Sequence, residues 1–206
     1  MTTRTITGLY DTYDDAAQTV RDLTAAGIPD ADISVVATNI DNRYALKEES
    51  DATPEFEAGA AIGMVAGGSA GLLAGLGLLA IPGVGPVVAA GWLVATAVGA
   101  GAGGGAGAAT GGVIGSLTGA GVTKEHAHVY VEGVRRGGTL VTARVEENRV
   151  AVVEEIMRRH RSVDPDTRGR AYRDTGWRAF DDSAAPYTAA ELERERERTR
   201  DLIPIA

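Results

Sequence analysis

The chain has 206 residues, a formal net charge of −8 and no cysteine. The acidic balance argues against a nucleic-acid partner, because phosphate binding needs a basic surface. Without cysteine neither a disulfide framework nor a thiolate metal site can form, which leaves the redox compartment open.

In chain order, Met1-Thr2-Thr3-Arg4-Thr5 lacks the apolar core of a signal peptide and leads directly into a strand-like run, so a cytoplasmic start is expected. Thr5 to Tyr10 alternates polar and apolar residues with β-formers and predicts a half-buried strand. Asp11 is placed to cap the helix that follows, whose Tyr13, Ala16, Ala17, Val20 and Leu23 recur at helical spacing. Gly27 closes it before Ile28-Pro29, and Ile33 to Ala37 reads as a second strand. Thr38 to Glu57 is polar, mostly acidic and without sustained period, which suits a connector.

From Ala58 to Val122 sixty-five residues carry no charge and hold twenty-one of the twenty-eight glycines. Gly59, Gly63, Gly67, Gly71 and Gly75 fall four apart, and so do Gly99, Gly103, Gly107, Gly111, Gly115 and Gly119. On a helix such positions form a strip without side chains, where a second backbone can approach closely. Ile81-Pro82-Gly83-Val84-Gly85-Pro86 between the runs cannot continue a helix, so Pro82, Gly83, Gly85 and Pro86 are expected to turn a helical hairpin. Eleven glycines cost a helix on the order of 10 kcal/mol relative to alanine, which packing must return. The glycine strip is therefore the candidate self-association site.

Thr123 can cap a further helix bearing Ala127, Tyr130, Val131 and Val134, stopped by Gly137-Gly138. Thr139 to Val145 reads as a strand. Val150, Val153, Ile156, Met157 and His160 trace an amphipathic helix, and Arg161 to Asp164 offers a last short strand before Pro165. With the insertion and its exit helix set aside, the order is β-α-β-β-α-β, so the expected class is α+β with a ferredoxin-like domain. The expected division is 1–57 for its first half and connector, 58–122 for the hairpin, 123–165 for the exit helix and second half, and 166–206 for an accessory tail. Replacing 58–122 by a linker should then leave a folded domain.

In the tail, Tyr172, Trp177 and Phe180 lie among arginines and turn residues and suit local packing or a partner contact. Thr188 and Glu191 have capping-box spacing before a charged helix with i,i+3 Glu/Arg pairs, expected to be solvated.

Gly27 to Asp30 with Ile33 to Val36, the uncharged Gly/Ala block with its Ile81 to Pro86 turn, and Val131-Glu132-Gly133-Val134-Arg135-Arg136-Gly137-Gly138-Thr139-Leu140-Val141 together resemble the bacterial general stress proteins with a YflT-type domain, over roughly residues 4 to 169. The resemblance implies a heat- or stress-induced protein. It carries no catalytic residue onto these positions.

Chemistry-bearing patterns are sparse. His126 and His128 are two apart on a helix and point apart, and His160 continues an apolar face, so no metal site is expected. Gly75 to Ala80 and Gly101 to Ala106 fit a loose dinucleotide pattern but follow no strand, and the zipper explains them better. No P-loop precedes Lys124. The expectation is thus a protein that is not an enzyme, with no cofactor and no small-molecule substrate. Its partners would be itself and a lipid bilayer, which the arm Ile62 to Ile81 is long enough to span. The domain would then sit at the cytoplasmic face of the inner membrane. The alternative is a soluble cytoplasmic homo-oligomer with the hairpins as its core.

Overall fold

The computed structural model describes residues 3–40, 77–93, 95–96 and 108–200. The elements are β1 (Thr3–Tyr10), α1 (Tyr13–Ala25), β2 (Ile33–Thr38), β3 (Gly77–Ile81), β4 (Gly85–Gly91), α2 (Ala108–Gly119), α3 (Lys124–Arg135), β5 (Thr139–Glu146), α4 (Val150–Arg159), α5 (Pro165–Asp174) and α6 (Ala189–Arg200). Short 3₁₀ turns stand at Asp30–Asp32 and Glu147–Arg149.

The strands form one mixed-order antiparallel sheet, β1-β5-β2-β4-β3. β5 runs antiparallel to both β1 and β2, so these two are parallel to each other with β5 between them. Successive side chains of a strand point to opposite faces, and here both faces are covered. Tyr10, Ile33, Val35, Val141 and Ala143 meet Val20 and Leu23 of α1 and Val153, Ile156 and Met157 of α4. On the other face Leu9, Val36, Val87, Ala89 and Leu140 meet Tyr130, Val131 and Val134 of α3 and Val113 and Leu117 of α2. The helix expected as a mere exit from the insertion thus builds one of three layers.

Helix ends follow their capping chemistry. Thr123 accepts from the His126 N–H at 3.2 Å, and Gly27 and Gly137 close α1 and α3 at φ of 83° and 97°. At α1 the cap falls one residue later than expected: Thr12 accepts from the Asp15 N–H at 3.2 Å. Asp11 instead makes a two-pronged pair with Arg168 of α5, at 2.7 and 2.8 Å.

Two expectations are corrected. Residues 77–81 and 85–91 are not helical: they form the strands β3 and β4, joined by a tight turn in which the Val84 N–H donates to the Ile81 carbonyl at 3.0 Å. Pro82 and Gly83 do turn the chain, with Gly83 at φ 74° and Gly85 at φ 95°, but as a β-hairpin. The cause is tertiary. β2 has a free edge beside Val35 and Val36, and β4 fills it from Ser34↔Gly91 to Thr38↔Val87. Val84, Val87, Ala89, Leu93, Val113 and Leu117 all lie in the core, so the described part of 58–122 packs into the domain that it was expected to interrupt.

The strand expected at Arg161 to Asp164 is reduced to a single bridge, Leu9↔Val163. Asp164 ends it by capping α5, accepting from the Thr167 N–H at 2.7 Å, with Pro165 at the first helical turn. In the tail, Tyr172 and Phe180 pack locally, as their surroundings suit, and the charged helix faces solvent along most of its length but buries Leu192 over the end of α3, because the chain after α5 folds back over the β3–β4 turn.

Candidate functional site

α2 carries the part of the glycine pattern that the structure describes. Its Val113 and Leu117 face the core, which commits the opposite side of the helix to Gly115 and Gly119. Both are exposed, and among the described residues no atom lies within 4 Å of where a Cβ on either would stand. Gly111 lies on the same helix. Gly59, Gly63, Gly67, Gly71, Gly75, Gly99, Gly103 and Gly107 lie outside the described residues.

Beside this face runs an open groove of about 550 Å³. Gly115, Ser116 and Gly119 form one wall, and Thr3, Trp92 and Arg144 lie across from them. Arg144 is fixed: its guanidinium bonds Asp32 at 2.9 Å and stands 4.9 Å from the centre of the Trp92 ring. Such a stacked cation is worth about 0.5–2 kcal/mol. The buried Ser116 hydroxyl and Trp92 Nε1 have no hydrogen-bond partner among the described residues. The groove therefore offers close backbone approach beside a fixed cation, which is a surface for packing.

A second constellation was not singled out from sequence. Glu132 of α3 is 1% exposed, yet charged partners surround it: Arg135 at 3.4 Å and Arg136 at 2.7 Å. Arg136 also reaches Glu195 of α6 at 2.5 Å and stacks on Tyr172 at 4.2 Å. Burial disfavours the Arg136 charge, but Glu132 and Glu195 outweigh it and keep the guanidinium protonated. Burial pushes the Tyr172 hydroxyl up to about 12, so it stays neutral. The signal in the sequence is the i,i+3 and i,i+4 spacing of Glu132 with Arg135 and Arg136, which alone reads as a solvent-facing pair.

Two of the three histidines act as struts. His126 Nε2 meets Asp166 at 2.9 Å and His160 Nε2 meets Asp22 at 2.8 Å, while burial followed by the nearby Lys124 lowers the His128 pKa. Among the described residues no group of three His, Asp or Glu side chains is placed to hold a metal ion. Gly133 lets α3 sit directly on β1, since a Cβ there would run into the Leu9 side chain, and Gly91, at φ 97°, lets β4 close on the backbone of Ile33 and Ser34.

Residues 5–83 match the family model of the heat-induced stress protein YflT domain. No curated protein and no solved structure matches the chain.

Proposed function

Taking residues 5–83 as a heat-induced stress protein YflT domain, we propose that the chain is a non-enzymatic stress-response protein that works by self-association through its glycine-rich region. The observation that carries this reading is the bare face of α2: Gly115 and Gly119 are exposed, with open space where side chains would stand. Gly115, in the interior of α2, costs about 1 kcal/mol against alanine, and a close-packed partner helix returns that. β1–α1–β2, β5 and α4, with the bridge at Val163, are read as a ferredoxin-like core that holds α2 in place.

Membrane association ranks second. No helix among the described residues is long and apolar enough to cross a membrane. The arm Ile62 to Ile81 also loses its last five residues to β3, which shortens what could insert.

The test is light scattering of the wild-type chain beside Gly115→Leu/Gly119→Leu. The open space lets the variant fold, so its melting temperature should hold while its assembly dissociates to monomer. A wild type that is monomeric across the concentration range overturns the reading. Flotation with phosphatidylglycerol-containing vesicles, if it captured a monomeric wild type, would install the bilayer as partner instead.

A further inference from the structure

α6 touches the rest of the chain along one narrow stripe. Leu192 is fully buried, Glu195 is 8% exposed, and the residues between and beside them mostly face solvent. Leu192 lies over Gly137 at the end of α3, its Cδ2 in contact range, 3.4 Å, of where a Cβ would stand. Glu195, three residues on, meets Arg136 at 2.5 Å. The seat itself does not belong to α6. Arg136 is held from below by buried Glu132 at 2.7 Å and by the Tyr172 ring of α5 at 4.2 Å. Arg135 bonds Glu132 at 3.4 Å.

With α6 lifted away, two guanidiniums would face one buried carboxylate beside a flat glycine, leaving one positive charge uncompensated. That surface asks for a helix with a leucine and a carboxylate three residues apart. From this complementarity we infer that the end of α3 is a helix-docking surface, filled by the chain's own α6 and able to take α6 from a second copy of the chain. Local contacts are identical whether the helix arrives in cis or in trans, which is the basis of exchange between protomers. Phe180 anchors the irregular stretch after α5 in the core, so the tether is the eight residues 181–188, enough at full extension for about 27 Å. Tethering favours the cis arrangement until concentration or competition shifts it.

Two full-length chains test the exchange, each carrying Gly115→Leu so that association through α2 cannot contribute. One has Arg136→Ala, a broken seat with an intact helix; the other has Leu192→Ala/Glu195→Gln, an intact seat with a broken helix. Each alone should be monomeric, and mixing should give a one-to-one heterodimer by native mass spectrometry. A fluorescent peptide of residues 186–200 provides an arm that does not depend on folding of Arg136→Ala. It should bind the Leu192→Ala/Glu195→Gln chain on the order of a hundredfold more tightly than wild type, whose tethered α6 competes. Failure of the peptide to bind the vacated seat overturns the docking surface. Binding of the peptide without heterodimer formation, where both chains melt cooperatively, overturns the exchange and leaves α6 a purely internal contact.

Discussion

Two glycines on neighbouring helices have opposite physical meanings, and a single methyl group separates them. Gly133 of α3 presses on Leu9, itself 1% exposed, so Gly133→Ala should destabilise the chain by about 1–3 kcal/mol through overpacking. Gly115 of α2 meets open space, so Gly115→Ala should leave the protomer intact or stabilise it by up to about 1 kcal/mol through helix propensity. Denaturant melts of both variants, at a concentration where the chain is monomeric, read the difference. Equal losses in the two would mean that α2 is packed against something within its own chain. Fourfold spacing draws attention to Gly115, whereas Gly133, where a Cβ would run into Leu9, stands outside both fourfold runs. Spacing reports which positions share a helix face. It does not report what lies opposite.

At the scale of elements, caps were legible and partners were not. Thr188 and Glu191 form the reciprocal box that their spacing predicts, with the Thr188 N–H on Glu191 at 2.8 Å and the Glu191 N–H on Thr188 at 3.3 Å. Thr123, Gly27 and Gly137 likewise act where local chemistry puts them. What sequence could not supply was the identity of a strand that exists because another strand needs it. Leu79, Ala80 and Ile81 have no alternation, and their glycine-rich surroundings suit a helix as well as a sheet; pairing of β4 with β2 decides. The tail helix is hard to read for a related reason, since Leu192, Glu195 and Arg196 among alternating charges are what it lays against the domain.

α5 permits a test of such local chemistry. Its cap, Asp164, has a lowered pKa, chiefly because the Thr167 hydroxyl and then the Thr167 N–H donate to it. Asp164→Ala should cost about 1 kcal/mol at neutral pH. A carboxylate whose folded pKa is depressed stabilises above its unfolded value of about 3.9, and that stabilisation fades as pH falls through the folded value. Wild type and variant should therefore differ in melting temperature at pH 7 and converge in strong acid. A gap that persists unchanged at low pH would show that the carboxylate's charge is not what caps α5.

For the whole molecule, the order of synthesis differs from the order of assembly. β5 sits between β1 and β2, and its partners Leu9 and Leu140 are separated by more than a hundred residues of chain. The stretch 5–83 that matches the family model contains β1, β2 and β3, yet no two of these are neighbours in the sheet. Every ladder it enters is completed by β4 or β5 from beyond its end. A polypeptide of residues 1–83 should accordingly show no cooperative melt by circular dichroism, and a cooperative transition there would mean that the strands can pair differently when β5 is missing. In a living cell the same geometry sets a clock. A ribosome must translate past Glu146 before the first strand finds its place, and closure across so long a loop is slow. Until then β1, β2 and the uncharged glycine block are exposed together on a nascent chain. The protein is thus most exposed to misassociation during its own production, at a moment when any holding chaperone would meet an open sheet edge with its central strand still to come.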